Sequence, residues 1–370
     1  MRKKVLIFGH NYETHFIDIY NQYTKVFDPS QYDITVAFLT GARDEEVKNR
    51  LLASQCVFLN FSKKSIRSLK ILPLLKLLAL TRQHQFDIVI CHRYKPTYIM
   101  LLVALFYKFR AMIFVMHEFN TMRSLPRRLL IKLLSRNNML FAGVSNAVRD
   151  DLRKALAFLP KNQVITLYNM IDIELMQPQL LSANEARQAL NLSKDTFVFG
   201  NLARLVKNKD HVTLLSAFKL IQPHCPQAKL IILGTGELEA SLKSLTKELQ
   251  LENHVIFTGF IAKGFSYMRA FDCFVLSSTQ EAFGRVLIEA MVAEVPIIAT
   301  RVHGIPEVLG STNTLIETRN IQQLAAAMQT CYTANPAERK KISEAGYTHV
   351  TENYSVTKFK EQFWELELLK

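Results

Sequence analysis

The sequence contains few of the features that mark small secreted, fibrous or membrane-spanning proteins. Its five cysteines are scattered and include no C-x-x-C pair, so no zinc or redox motif of that type is predicted and a reducing compartment is favoured. Only 12 glycines and 11 prolines occur among 370 residues, which excludes collagen-like and low-complexity chains. The longest uncharged apolar run, 98–107, covers ten residues, whereas a membrane-spanning helix needs about 20. These absences favour a globular protein without a transmembrane helix. The length of 370 residues is sufficient for two domains.

Acidic residues are scarce in one part of the chain. Residues 61–140 contain 15 Lys and Arg but only two acidic residues, Asp87 and Glu118. A surface of one charge sign attracts polyanions: nucleic acid, an anionic membrane, or a phosphorylated or acidic substrate. Nucleic acid is disfavoured because no nucleic-acid-binding module is recognisable and the aromatic residues fall on predicted strands rather than among the charges.

The hydrophobic pattern predicts an α/β fold. Short β-branched or aromatic segments alternate with longer helical ones, which is typical of βαβ units and parallel sheets. Strands are predicted at 4–8, 34–38, 88–91, 112–116, 140–144 and 164–168, and then at 197–201, 229–233, 255–257, 273–276 and 297–300. The apolar segment 5–8 is too short for a signal peptide and is assigned to the first strand, so a cytoplasmic location is expected.

Two Rossmann-like doubly wound domains facing across a cleft account for this pattern. We predict an N-terminal, acceptor-binding domain over 1–175 and a C-terminal, donor-binding domain over 176–352, with 172–195 as the connection. Residues 353–370 are predicted as an amphipathic helix that packs back on the N-terminal domain, because its apolar residues recur at spacings of three and four. Such sheets bind ligands at the carboxyl ends of their strands.

The most informative segment is 277–291, which follows a predicted buried strand and precedes a predicted helix. Gly284 allows the backbone to approach a ligand closely, and the N–H groups at the start of the helix favour an anion such as phosphate. Glu281 and Glu289 offer two carboxylates to the hydroxyls of a sugar or ribose. Alternatively, Glu281 caps the helix and Glu289 lies on a solvated helix face.

Two cations follow an earlier strand of the same predicted sheet. Arg204 and Lys209 come after the strand 197–201, and paired cations neutralise a diphosphate. The alternative is an ordinary basic loop. Gly234 and Gly236 form a turn after the next strand, where glycine also permits close approach of a nucleotide base.

Taken in order, these motifs resemble the family 4 retaining glycosyltransferases (glycosyl transferases group 1), which have the GT-B fold. The resemblance covers nearly the whole chain. Its segments are 144–149, 168–172, the loop with Arg204 and Lys209, 234–236, 257–259, 281–289 and 304–307.

The resemblance implies a role for each matching residue. Arg204 and Lys209 would bind the donor pyrophosphate, and Glu289 the ribose hydroxyls. Glu281 would hold the hydroxyls of the transferred sugar, and His117 matches the first-domain histidine near the reacting carbon. The catalytic set is then Glu281, His117, Arg204 and Lys209, and the donor-binding set is Arg204, Lys209, Gly234, Gly236, Phe283, Gly284, Arg285 and Glu289, with backbone amides of 283–285 supporting sugar and phosphate. The family works without a metal, so no metal and no cofactor are expected.

Two basic stripes in the first half have a separate interpretation. Lys63, Arg67 and Lys70 form one predicted helical stripe, and Arg128, Lys132 and Arg136 recur at a spacing of four beside leucines. Basic amphipathic helices of this type lie on anionic membranes. The alternatives are helices that cover a Rossmann sheet with a basic outer face, or a surface that meets an acidic acceptor.

The sequence therefore predicts a peripheral enzyme of the cytoplasmic membrane face. It would transfer a hexosyl unit, with retention, from a nucleotide diphosphate sugar to a lipid-linked or lipopolysaccharide acceptor, and a UDP-sugar is the default donor in the resembled family. A nucleotide-sugar epimerase of the same fold needs no acceptor and is one alternative. A non-catalytic nucleotide-sugar-binding membrane adaptor is the other.

Overall fold

The computed structural model describes residues 2–62, 65–66 and 71–370, apart from the side chains of Thr14 and His15. The chain divides into two compact units. The first unit comprises the residues up to Met170 together with Val356–Lys370, and the second unit comprises Ile171–Ser355.

The first unit contains a parallel sheet of seven strands in the order β3-β2-β1-β4-β5-β6-β7 among the described residues. The strands are β1 Lys3–Gly9, β2 Tyr32–Phe38, β3 Gln55–Phe58, β4 Ile88–His92, β5 Ala111–Met116, β6 Met139–Gly143 and β7 Val164–Thr166. Strands β4, β5 and β6 are buried along their whole length, as expected where helices cover both faces of a parallel sheet.

The helices of the first unit connect these strands. They are α1 Thr14–Lys25, α2 Glu45–Arg50, α3 Ile71–His84, α4 Tyr94–Val103, α5 Leu125–Leu134 and α6 Asn146–Ala155, with a 3₁₀ turn at Lys161–Gln163. Helix α6 begins where the Ser145 hydroxyl accepts a hydrogen bond from the Val148 amide, the usual chemistry of a helix N-cap.

The C-terminal helix, Val356–Trp364, belongs to the first unit and is followed by a 3₁₀ turn at Glu367–Leu369. Its Phe359 ring lies 5.1 Å from the ring of Tyr23 on α1, in an edge-to-face arrangement. The Trp364 indole donates to the Val26 carbonyl at 3.1 Å. The apolar stripe of this helix is therefore buried against α1.

The second unit contains a parallel sheet of six strands in the order β10-β9-β8-β11-β12-β13 among the described residues. The strands are β8 Phe197–Leu202, β9 Ala228–Leu233, β10 Val255–Gly259, β11 Cys273–Leu276, β12 Ile297–Thr300 and β13 Thr314–Ile316. The helices are α7 Ile173–Met176, α8 Ala183–Ala189, α9 His211–Ile221, α10 Glu239–Glu248, α11 Arg285–Val292, α12 Ile305–Leu309, α13 Ile321–Thr333 and α14 Pro336–Tyr354, with 3₁₀ turns at Gln177–Gln179, Lys207–Lys209 and Gly264–Ala270. The predicted class, two α/β units with parallel sheets, is confirmed.

Residues 172–195, predicted as a connection, are folded into the second unit. They include α7 and α8, and the Leu181 amide donates to the Ser266 carbonyl at 3.0 Å. Arg187 on α8 pairs with Asp272 at 2.6 Å, and both side chains are largely buried. The polar composition of the segment thus reflects helix caps and a buried ion pair rather than an open linker.

Candidate functional site

The loop after β8 is held in place by buried polar contacts. Asn201, fully buried at the end of the strand, donates to the Val275 carbonyl at 2.7 Å and accepts from His211 Nε2 at 3.0 Å. Burial and then the nearby Lys209 lower the pKa of His211 to about 4, so this imidazole is neutral near pH 7. Asp210 adopts φ 49° and caps α9, accepting from the Thr213 hydroxyl at 2.7 Å. These contacts fix the position of Lys209.

Lys209 and Glu281 form an ion pair at the carboxyl edge of the second sheet. The Lys209 ammonium contacts Glu281 Oε2, and the two side chains are 14% and 16% exposed. The Ser277 hydroxyl lies 3.0 Å from the carbonyls of Lys209 and Asp210, which ties the two loops together. Two of the residues selected from the sequence are therefore in direct contact. The pair is mostly buried but keeps a small opening to solvent at the sheet edge.

Arg204 lies on the same loop, between the strand end and Lys209, and its side chain is exposed. The two glycines predicted in the donor set support this loop. A Cβ on Gly234 would lie 2.0 Å from the Ala203 carbonyl oxygen, and one on Gly236 would lie 2.3 Å from the Leu205 carbonyl oxygen. Glycine is thus required here because the turn packs directly against the backbone on either side of Arg204.

Gly284 allows the loop after β11 to turn into α11. Its φ of 89° is a left-handed conformation that side chains rarely adopt, and a Cβ there would lie 2.8 Å from Leu287. Phe283 is buried and packs edge-to-face on Tyr354 at 5.5 Å, so its side chain anchors the loop. The first N–H groups of α11 consequently lie close to Glu281 in the chain, at the same sheet edge. A helix N-terminus there favours an anion.

Arg285 and Glu289 lie one turn apart on α11, and both are half-buried. Residues four positions apart share a helix face, so a guanidinium and a carboxylate are presented on one side of this helix. The second unit therefore brings Lys209 and Glu281 into contact. It places Arg204 on the same loop as Lys209, and Arg285 and Glu289 on helix α11.

His117 follows β5 in the first unit and contacts a second histidine. Its Nε2 atom lies 3.1 Å from Nδ1 of His92, the last residue of β4, and its ring packs edge-to-face on Phe16 at 5.4 Å. His92 is fully buried, and burial lowers its pKa to about 3. This pair could not be found from the sequence, which does not show that β4 and β5 are neighbours.

The neutral state of His92 should make the protein less stable in acid. Above pH 6.5 this imidazole is neutral in the folded and the unfolded chain, and its contribution is fully present. As the pH falls from about 6.5 toward 3, only the unfolded chain takes up the proton, so the free energy of unfolding falls by about 1.4 kcal/mol per pH unit. His92→Gln should reduce this slope. Urea unfolding curves between about pH 7 and pH 4 measure it, with the exposed His224→Gln as control, and an unchanged slope in His92→Gln would contradict the assignment.

Of the two predicted basic stripes, Lys63, Arg67 and Lys70 lie outside the described residues. Lys132 is exposed on α5 and Arg128 is half-buried there, whereas Arg136 lies beyond the end of the helix at Leu134. The predicted stripe of three on one helix is therefore wrong for Arg136. The same helix exposes three leucines at a spacing of four, Leu125, Leu129 and Leu133, at 58%, 47% and 79%.

Comparisons with known proteins agree with this architecture. Residues 182–349 match the family described as glycosyl transferases group 1, and residues 22–175 match glycosyltransferase family 4. A glycosyltransferase from Rickettsia africae has a similar structure, with a TM-score of 0.85 at 17% identity over 100% of this chain and 99% of that one. The structure of the Anabaena HepE protein, solved in complex with UDP, has a TM-score of 0.80 at 20% identity over 98% of both chains. These likenesses show the fold.

Two sequence relatives extend the comparison. An uncharacterized glycosyltransferase from Methanocaldococcus jannaschii is 37% identical over 140 residues, which are 38% of this chain and 34% of that protein. The N-acetylgalactosamine-N,N'-diacetylbacillosaminyl-diphospho-undecaprenol 4-alpha-N-acetylgalactosaminyltransferase of Campylobacter jejuni is 31% identical over 271 residues, 70% of each chain. Since both halves match and the second relative is covered over most of its length, the chain belongs to the group 1, or family 4, glycosyltransferases.

Proposed function

We propose that the protein transfers a hexosyl unit from a nucleotide diphosphate sugar, by default a UDP-sugar, to a lipid-linked or lipopolysaccharide acceptor, with retention at the anomeric carbon. The observation that carries the proposal is the Lys209–Glu281 pair beside the start of α11. The Campylobacter relative is named for a lipid-linked diphosphate acceptor, and a Rhizobium meliloti relative, 32% identical over 163 residues, is named for lipopolysaccharide core biosynthesis. The UDP bound to HepE supports the choice of base.

The charges at this edge suit a diphosphate leaving group. Negative charge on the diphosphate grows as the glycosidic bond breaks, so Arg204, Lys209 and the N-terminus of α11 stabilise the transition state more than the ground state. Glu281 accepts hydrogen bonds from the hydroxyls of the sugar, and Glu289 accepts those of the ribose. No metal is required for this role, because arginine and lysine supply the positive charge.

Retention follows if the acceptor hydroxyl attacks from the face that the diphosphate leaves. The new carbon–oxygen bond forms on that face, the bond to the diphosphate breaks, and the acceptor proton passes to the departing phosphate oxygen. The products are the glycosylated acceptor and the nucleoside diphosphate. His117, which contacts His92, is proposed as the histidine near the reacting carbon.

A panel of nucleotide sugars tests the proposal. A ligand that binds the folded protein raises its unfolding temperature according to its concentration relative to Kd, so thermal shifts identify base and sugar together. The selected donor is then incubated with and without a lipid-linked acceptor. Transfer to the acceptor with retained anomeric configuration supports the proposal. Conversion of the donor alone into an epimer supports the epimerase alternative, and tight binding with neither product supports the adaptor.

Membrane association is the second part of the proposal, and α5 supports it. Exposed leucines beside Lys132 form a surface that inserts apolar side chains while the lysine meets anionic headgroups. Helix α3 adds Ile71, Leu72 and Leu75, which are 60%, 53% and 57% exposed. Among the described helices, none is both long enough and apolar enough to cross a membrane.

Replacing Leu125, Leu129 and Leu133 by serine should sharply reduce binding to vesicles of anionic phospholipid. Replacing Lys132 by Gln should weaken binding by about 1 kcal/mol, because that is the contribution of one basic residue near an anionic surface. High salt should also weaken binding of the unaltered protein. Cosedimentation measures both effects. Leu220→Ser on α9, 49% exposed, is the matched control. If the unaltered protein does not bind such vesicles at low salt, the basic surface meets an acidic acceptor instead.

A further inference from the structure

A cationic pocket of about 290 Å³ lies in the first unit, at the edge where β4 and β5 end. Arg93, Lys95 and Arg127 contribute cationic side chains to its wall, and Glu118 is the only acid among the described lining residues. Arg93 pairs with Glu118 at 3.0 Å, so positive charge remains in excess. The volume is near the lower end of the range of about 300–1,000 Å³ usual for ligand sites, which suits a small anionic group.

Two of these cations are held in position by aromatic rings. The Arg127 guanidinium lies 4.1 Å from the ring centroid of Tyr94 and donates to the Thr121 carbonyl at 2.6 Å. The Arg93 guanidinium lies 5.1 Å from the ring centroid of Phe16. An arginine has five N–H donors in a planar fork, so these contacts leave donors for an anion.

The backbone and a buried nitrogen also distinguish this pocket. Arg93 has φ 72° and ψ 165°, a region that residues other than glycine rarely occupy, and such strain tends to occur at functional sites. Nδ1 of His10, which also lines the pocket, is buried and has no hydrogen-bond partner among the described residues. Burial, and then the charges of Lys95 and Arg93, lower the pKa of His10 to about 4. The positive field of the two side chains therefore reaches His10.

We propose that this pocket, whose lining includes the proposed catalytic residue His117, binds the phosphate or diphosphate group of the acceptor, a lipid-linked sugar. The inference rests on the proposed transfer reaction. Helix α5 contributes Arg127 to the pocket and also exposes Leu125, Leu129 and Leu133. The pocket thus offers cations to a diphosphate, and α5, which contributes one of them, Arg127, exposes its leucines on a different face of the same helix.

Lysine acetylation tests the pocket directly. The rate of acetylation of Lys95 is measured by peptide mass spectrometry with and without inorganic pyrophosphate, and the exposed Lys132 serves as an internal reference. Pyrophosphate should slow the reaction at Lys95 several-fold and leave Lys132 unaffected. Protection should be lost in Arg127→Ala and kept in Arg123→Ala, an exposed arginine of the same segment that does not line the pocket. Unchanged acetylation of Lys95 at millimolar pyrophosphate would overturn the proposal.

Kinetics distinguish the acceptor from a free anion. Arg127→Ala should raise the KM for a prenyl-diphosphate-linked sugar by about tenfold or more, because a charge-assisted hydrogen bond is lost, and should leave the donor KM unchanged. It should not change the KM for an alkyl glycoside without phosphate. Protection of Lys95 without any effect on the KM for the diphosphate acceptor would show a site for free anions and overturn the assignment. Protection in a protein that transfers no sugar to any acceptor would refute the transfer reaction and leave the anion pocket intact.

Discussion

The Arg204→Ala, Lys209→Ala double variant should lose transfer activity, with a fall in kcat/KM on the order of a thousandfold or more. Both cations are proposed to meet the diphosphate as its charge grows, so their loss raises the barrier as well as the donor Kd. Lys209→Ala has a second effect, because it leaves the Glu281 carboxylate, 16% exposed, without its cation. Lys209→Ala alone should therefore be more damaging than Arg204→Ala alone.

Transfer assays with the selected donor measure these effects on variants whose folding is verified by circular dichroism. Lys207→Ala is the matched control, because Lys207 is an exposed lysine in the same 3₁₀ turn as Lys209. Its activity should equal that of the unaltered protein. Full activity in the double variant would show that the diphosphate binds elsewhere and would remove the proposed site.

The interior strands could be predicted from the sequence, whereas two of the four edge strands of the described sheets could not. Every predicted strand is present, including the edge strands β7 and β10, and each interior strand is a short apolar run. Strands β3 and β13 were missed. Strand β3 contains no fully buried residue, and β13 has only three residues, of which one is buried. A strand at the edge of a sheet has a partner on one side only, so its sequence needs less apolar character.

The residues of the proposed donor site could be selected from the sequence, but their contacts could not. A sequence shows that Lys209 and Glu281 each follow a strand, and it does not show that β8 and β11 are adjacent in the sheet. The order of strands, which places β11 next to β8, creates the ion pair. The same limit applies to the pocket around Arg93 and Arg127, because its cations meet only after β4 and β5 pair.

Replacing Glu281 by Gln should lower kcat by about a hundredfold while binding of the free nucleoside diphosphate is retained or strengthened. Glutamine keeps the shape of the side chain and an acceptor oxygen but removes the charge that holds Lys209. The released ammonium is then available to the diphosphate, which explains why that ligand should not bind more weakly. The nucleotide sugar should lose affinity relative to the nucleoside diphosphate, because Glu281 is proposed to contact only its sugar.

Calorimetry with the nucleoside diphosphate and with the nucleotide sugar shows whether Glu281 contacts the sugar or only supports the loop. Glu294→Gln, an exposed carboxylate just after α11, is the matched control and should bind both ligands normally. Equal loss of both ligands in Glu281→Gln would mean that Glu281 shapes the loop through Lys209 and does not touch the sugar. Combining Glu281→Gln with Lys209→Ala then measures the coupling, since residues in contact give non-additive effects. If the pair acts on one bound donor, the double variant should lose less transition-state stabilisation than the two single losses added together, because each single variant already breaks the same ion pair.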